Sequence, residues 1–385
     1  MKFLNTSDWH VGRTLNGWSL LEEQEWAFKQ IVDLAIHEQV DGVIIAGDLY
    51  DRAVPPVDAI KLFNKTLARL VLEEQIPVFA ISGNHDGAER LHFGRDFFQP
   101  QGLHLSTRLE EAFEPIELEG CQIFLLPFID PIDARIYYKD DEDKEIQGIG
   151  DALAYILEDM EKAFDPDKSH ILVTHFAVSK KDDQDGQSLR ELMLSETSNT
   201  VGGLTNVTSD LFKVFDYVAL GHLHRAQEIG GNVRYSGSPV KFSFAEANTQ
   251  KSVTIIDTGD FSRREAALSM KRDLRLIKGD YNEILDAAET DGRREDYLKI
   301  ELLDEYAHVE ILNTLRNYYP NLLSLVGKQL HNAETSLSVE TASSLQPEDI
   351  MMMFYREYTG EEPSETQMEW FRKAVEFEQK GGDMQ

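Results

Sequence analysis

Four short apolar runs, each cut off by a polar group, restrict the fold of this 385-residue chain most. They are VDGVIIAGDLYD (residues 40–51), IPVFAISGNHD (76–86), HILVTHF (170–176) and FDYVALGHLH (215–224). Runs this short and this rich in Val, Ile, Leu and Phe are the pattern of strands covered on both faces. Between the early ones, LLEEQEWAFKQIVDLAIHEQ (20–39) and PPVDAIKLFNKTLARLVLEEQ (55–75) repeat apolar residues at helical spacing, with Pro55 and Pro56 placed to start the second helix. Strand and helix alternate, which predicts an α/β fold. In open α/β sheets, ligands bind beyond the carboxyl ends of the strands. Each polar group here lies at such an end. A fifth, SDWH (7–10), follows the apolar pair Phe3-Leu4, and in an extended chain Asp8 and His10 face the same side.

The rest of the chain is read more coarsely. KDDEDKE (139–145) is a charged, turn-like loop, and a helix is expected at about 151–164. Residues 179–210 form a long polar excursion. RYSGSP (234–239) marks a tight turn, SVTIID (252–257) a further strand, and the first domain is expected to close near residue 275. DYLKIELLDE (296–305) reads as an exposed edge strand, EYAHVEILNTLRNYYP (305–320) as a helix stopped before Pro320, and NLLSLVGKQL (321–330) as another strand. SLQPEDI (344–350) reads as a linker. Two short amphipathic helices, 350–360 and 365–379, complete the chain and carry Met351, Phe354, Tyr355, Tyr358, Trp370, Phe371, Val375 and Phe377.

A chain of this length suggests two or three domains. No run of about 18 apolar residues and no leader-like segment is present, so a cytoplasmic protein is expected. Cys121 is the single cysteine, which excludes an internal disulfide and a thiolate cluster. The formal net charge of −31 argues against coating nucleic acid by bulk charge. It leaves room for a local phosphate site, where a divalent cation inverts the field.

Asp8, His10, Asp48, Asn84, His175, His222 and His224 are the donors gathered by the strand-end groups. Oxygen and imidazole donors without sulfur suit Mn²⁺, Fe or Zn²⁺. Seven are too many for one four-coordinate zinc and suffice for two ions if Asp48, on an expected central strand, bridges. Two ions about 3.5–4 Å apart clamp a phosphate and lower the pKa of a water, which would then attack phosphorus. Gly47, Gly83 and Gly221 precede donors, where a side chain would crowd the backbone. His85 follows Asn84, so its ring should point elsewhere and could give a proton to a departing oxygen, oriented by Asp86 or Asp51. Any one of these motifs taken alone reads as a turn or a core histidine. Five at once do not.

With these residues in view, the chain resembles the calcineurin-like metallophosphoesterases. Their Asp-x-His, Gly-Asp, Gly-Asn-His-Asp, His and Gly-His-x-His pattern is matched at each position. SDWHVGRTL, AGDLYDRAVPP, SGNHDGAERL, ALGHLHRAQ and YSGSPVKFSF, with DLRLIKGDY and YPNLLSL further on, are similar to the branch of DNA nuclease subunits that pair with a coiled-coil ATPase. The resemblance implies a sandwich of two packed β-sheets flanked by helices (1–275), a small α+β capping domain for DNA recognition (276–340) and C-terminal helices that dock on the ATPase coiled coil (345–385). It implies two Mn²⁺ ions, one held by Asp8, His10, Asp48 and His224, the other by Asp48, Asn84, His175 and His222. His85 would be the catalytic histidine that is not a ligand, with Asp48 and Asp86 beside it. The implied activity is double-strand exonuclease and single-strand or hairpin endonuclease action in DNA end processing, repair and recombination. A homodimer within a heterotetramer and a nucleoid-associated location go with it.

One departure is visible. Some relatives have a second histidine after the Gly-Asp motif, where this chain has Asp51. Arg13, Arg52, Arg90 and Lys241 lie inside the motifs and are candidates for contacts to DNA phosphates. Two other readings compete. A phosphomonoesterase or cyclic-nucleotide phosphodiesterase would use the same centre, and a non-catalytic scaffold would have no need of His85.

Overall fold

The computed structural model describes residues 1–141, 143–180, 207–327, 351–352, 355–356 and 362–381. Its body holds two six-stranded mixed sheets packed face to face. The first takes β1 (Lys2–Thr6), β2 (Gly42–Ala46), β3 (Val78–Ile81), β4 (Leu103–Ser106), β11 (Ser252–Asp257) and β12 (Arg263–Ala267), in the order β12-β11-β1-β2-β3-β4. The second takes β5 (Ile116–Leu118), β6 (Cys121–Leu125), β7 (Ser169–His175), β8 (Tyr217–Gly221), β9 (Gln227–Gly230) and β10 (Val233–Tyr235), in the order β9-β10-β8-β7-β6-β5. The central strands β1 to β4 pair in parallel, as do β6, β7 and β8. All their carboxyl ends therefore open on one rim.

Alternation along each strand builds the layers. On β1 and β2, Phe3, Ile44 and Ala46 face the second sheet and join Phe79, Ile123, Val173 and Ala219 in a core between the sheets. Leu4, Val43 and Ile45 face the other way, onto Phe28 and Ile31 of α1 (Leu21–His37) and Leu62 and Phe63 of α2 (Val57–Ala68). The second sheet is covered likewise by α6 (Ile149–Glu161), whose Leu153, Ile156 and Met160 are fully buried. The helices α3 (Ala88–His92), α4 (Arg95–Phe98) and α5 (Pro131–Tyr137) fill in between. Continuous apolar strands are thus explained by burial on both faces.

A third sheet follows, with β13 (Leu274–Gly279), β14 (Tyr297–Leu302) and β15 (Leu322–Val326) all parallel and joined through α7 (Tyr281–Thr290) and α8 (Val309–Tyr318). The sequence reading put β14 at an edge, and this is corrected. β14 is the central strand, paired on both sides. Its polar residues Lys299 and Glu301 mark the open face of a sheet covered on one side, not an open edge. Leu15, Leu20, Ala27, Val240, Phe242, Leu274 and Tyr297 pack this sheet against the body.

The helix expected at 365–379 is α9 (Glu365–Gly381). The linker at 344–350, most of the helix expected at 350–360 and most of the excursion at 179–210 lie outside the described residues. Among the described residues, no helix is long and apolar enough to cross a membrane.

Candidate metal centre

Five strand-end loops meet on the common rim. The loop after β1 runs beside the loop after β2: Asp8 N–H donates to the Gly47 carbonyl (3.1 Å), His10 N–H to that of Asp48 (2.8 Å) and Val11 N–H to that of Leu49 (3.0 Å). Trp9 turns into the core, stacked on Phe28 at 4.3 Å, which sends its neighbours Asp8 and His10 the other way. The loop after β8 joins through His222 N–H, which donates to Asp8 Oδ1 (2.9 Å). The loop after β3 joins through His85 N–H, which donates to Asp48 Oδ1 (2.9 Å).

The donor atoms then face one another. Asp48 Oδ2 lies 3.4 Å from His10 Nε2 and 3.3 Å from His175 Nε2, between the two rings. His10 Nε2 and His224 Nε2 are 3.2 Å apart. Asn84 Oδ1 is 3.1 Å from His175 Nε2 and 3.2 Å from His222 Nδ1. Among the described residues, Asp8, His10 and His224 form one group able to hold an ion, and Asp8, Asp48 and His175 another. Donors sharing an ion through bonds of about 2.1 Å stand roughly 3.0–3.4 Å apart. The spacings here are of that size, so the residues fit a pair of divalent cations. A third group, His10, Asp51 and His85, lies alongside.

Electrostatics agree with that fit. Burial holds His10 well below the ordinary imidazole range and takes His222 down to about 3, so both rings are neutral donors. Burial alone would lower His175, but the Asp48 carboxylate lifts it to about 9. Burial pushes Asp8 up. Asp48 is held well below the carboxylate range against its burial, chiefly by His175.

The backbone is bent to make these meetings possible. Asp8, His10, Asp48 and His222 have φ of +52°, +41°, +50° and +107°. Left-handed backbone at non-glycine residues costs about 1–3 kcal/mol each and gathers at functional sites. Close approach explains two of the glycines. A Cβ on Gly83 would lie within 2.2 Å of Asp48 Oδ1, and one on Gly221 within 1.8 Å of the Ala46 carbonyl oxygen.

The other sequence candidates are placed as follows. The His85 ring stands edge-on to His10 at 4.8 Å, with Nδ1 3.1 Å from the Asp51 carbonyl oxygen. Asp86 does not touch that ring. Its carboxylate accepts from the N–H groups of Leu49 (2.9 Å), Tyr50 (2.8 Å) and Gly83 (2.9 Å), clasping two of the loops, and burial beside Asp48 raises it to about 7. Arg13 bonds Asp51 (3.0 Å), Arg52 is mostly exposed and Arg90 is exposed. Lys241 is turned inward, 4% exposed, with its ammonium on Asp273 (2.7 Å) and the Ala247 carbonyl (2.6 Å). That placement suits a structural ion pair and not a phosphate contact.

One supporting residue escaped the sequence reading. Gln24 is fully buried on α1; its amide donates to the Trp9 (3.0 Å) and His10 (2.7 Å) carbonyls and accepts from Gly12 N–H (3.0 Å). It holds the Asp8–His10 loop to the helix. The signal was there: Gln24 lies four residues from both Leu20 and Phe28, on the apolar face.

Comparisons with known proteins show the family. Residues 1–226 match the family model for calcineurin-like phosphoesterases. Residues 270–376 match the model of the SbcD C-terminal domain, described as the type 5 capsule protein repressor C-terminal domain. The chain is 34% identical over 381 residues to the SbcD subunit of the SbcCD nuclease from Staphylococcus epidermidis, covering 98% of each chain. Similar solved structures include a protein of Thermus thermophilus (TM-score 0.39, 14% identity, 70% of this chain and 99% of that one). Another is a dimetal phosphatase from Danio rerio (TM-score 0.37, 10% identity, 70% and 99%).

Proposed function

The chain belongs to the calcineurin-like phosphoesterases and, within them, to the SbcD nuclease subunits, and on that footing we propose that it is a Mn²⁺-dependent DNA nuclease. It acts as a double-strand exonuclease and a single-strand or hairpin endonuclease, with a coiled-coil ATPase, in the processing of DNA ends. The observation that carries this reading is the convergence of seven donors from five strand ends around Asp48.

Asp8, His10, Asp48 and His224 would hold one ion, and Asp48, Asn84, His175 and His222 the other. When bound, such a pair supplies Lewis acidity to a phosphate and a nucleophile at neutral pH. His85 is the proton donor. Its Nδ1–H donates to the Asp51 carbonyl, which fixes the ring, and from the imidazolium form Nε2–H would give its proton to the departing oxygen and leave the neutral imidazole. Asp86 acts on the reaction through the loops it clasps. Arg13, Arg52 and Arg90 contact DNA phosphates.

Residues 1–275 carry the chemistry, 276–340 recognise DNA and 345–385 dock on the ATPase, although the boundary at 275 falls inside β13 and the third sheet begins at Leu274. Trp370, 67% exposed on α9, supports that docking, and the name of the Staphylococcus relative supports the complex. Phe93 and Phe97, more than 80% exposed, suit burial against a second copy in a dimer. The protein works in the cytoplasm on the nucleoid. The test is cleavage of end-labelled linear duplex by the purified chain with Mn²⁺, beside hydrolysis of p-nitrophenyl phosphate. Chelator-sensitive DNA cleavage is expected. Hydrolysis of the small ester with no DNA cleavage, even with the ATPase added, would favour a phosphomonoesterase.

A further inference from the structure

Behind His224, two opposite charges are sealed from water. Lys251 and Glu246 are each 2% exposed. Lys251 Nζ forms an ion pair with Glu246 Oε2 (2.5 Å) and donates to the His224 carbonyl oxygen (2.8 Å) and to Ser238 Oγ (2.8 Å). Ser238 N–H donates to the same His224 carbonyl (3.1 Å). Glu246 Oε1 accepts from Phe242 N–H (3.0 Å) and stands 3.9 Å from His224 Nδ1. The other ring nitrogen, His224 Nε2, faces His10. The Phe242 ring closes the side of both imidazoles, edge-on at 5.4 Å from each.

A buried ion pair is a poor way to gain stability, since apolar residues of the same shape often serve as well or better. Orientation is a use that apolar residues cannot replace. Histidines that bind metals regularly turn their far N–H toward a carboxylate, which fixes the tautomer and the ring. At 3.9 Å the Glu246 carboxylate acts on His224 through its field and not through a hydrogen bond.

We propose that Glu246 and Lys251 are a positioning pair for one end of the metal centre. Glu246 favours the His224 tautomer with its proton on Nδ1 and its lone pair on Nε2, toward the ion. Lys251 pins the His224 backbone and the carboxylate together. The inference rests on the reading of Asp8, His10 and His224 as ligands.

The test is titration of the full-length chain with Mn²⁺ alone, with free Mn²⁺ read by electron paramagnetic resonance. The wild type should show two sites. Glu246→Gln, of the same shape, should weaken one of them about tenfold to a hundredfold and leave the other within about twofold. The double variant Glu246→Gln/Lys251→Met removes both charges. It should keep the same metal defect while its melting temperature in chelator stays near that of the wild type. Wild-type affinity at both sites in folded Glu246→Gln would overturn the proposal. So would a double variant that regains affinity along with stability, which would make the pair structural only. A wild type that binds no Mn²⁺ would instead remove the two-metal reading on which the proposal stands.

Discussion

Asp48 has the most demanding position in the molecule. One carboxylate oxygen orders the His85 backbone and the other lies between two imidazoles, all at 2% exposure and with left-handed backbone. Asp48→Asn keeps the shape and removes the charge both ions would share. Loss of both Mn²⁺ sites in equilibrium dialysis is expected, and retention of either at wild-type affinity would contradict the bridging role. Gly221 shows how tightly the loops are packed. With a Cβ 1.8 Å from the Ala46 carbonyl oxygen, Gly221→Ala forces β2 and β8 apart. A loss of about 3 kcal/mol in urea denaturation is expected. These residues were legible in the sequence because each lies at a strand end or within four places of one, where a polar group breaks an apolar run. Gly47, Gly83 and Gly221 were legible for the same reason. Lys241 was not: the motif around it is local, but its partner Asp273 lies 32 residues away in the sequence.

Elements decide how well those residues are held. Helix α1 reaches the site through Gln24, and Gln24→Leu strands the Gly12 N–H and the Trp9 carbonyl and leaves the His10 carbonyl with the Arg13 N–H alone. A loss of about 3 kcal/mol is expected in urea denaturation, with weaker Mn²⁺ binding, because the Asp8–His10 loop loses its anchor. Helix α6 offers a pH test away from the metals. Burial alone would raise Asp159, yet hydrogen bonds from Lys144 (2.7 Å), Lys162 (2.6 Å) and Tyr138 (2.7 Å) bring it down to about 2. A carboxylate lowered on folding contributes stability that is complete above its unfolded value, near 4, and fades as pH falls through about 2. Asp159→Asn should therefore cost about 1–2 kcal/mol at pH 7, with the gap to wild type closing as urea melts are moved from pH 5 toward pH 2. A gap that does not change with pH would assign the effect to packing. The early strands were legible as short apolar runs cut off by polar groups, and the early helices by long, regular apolar periods. β14 was misjudged as an edge because a one-sided sheet and an edge strand leave the same alternation in sequence, and its partners come from segments before and after it.

At the scale of the whole molecule, two sheets share one rim, and loops from all along the chain complete a single centre there. His222 and Asp8 are 214 residues apart in sequence and 2.9 Å apart in space. Any ion bound there joins the two sheets, so folding and loading are linked. At Mn²⁺ concentrations a hundredfold above Kd, each site should add about 2.7 kcal/mol to unfolding, read as a rise in melting temperature that a chelator reverses. The −31 charge fits the proposed function: a chain this acidic would meet DNA through a small cation-loaded centre and through a partner, not through its surface at large. Alternation of strand and helix gave the α/β class, and the two-sheet sandwich came from the family resemblance that the strand-end motifs carry. Of the buried supports of the centre, Gln24 left a trace as a polar residue on an apolar helix face, whereas Glu246 and Lys251 left none, because nothing in a single sequence pairs them with loops packed against them in space. The central claim is that two ions prepare the phosphodiester and His85 gives the proton. It is tested most directly by His85→Ala, measured for bound Mn²⁺ and for cleavage of end-labelled duplex DNA in the same preparation. Two bound ions with cleavage lost by several orders of magnitude is the expected result. Cleavage at the wild-type rate with both ions bound would contradict it.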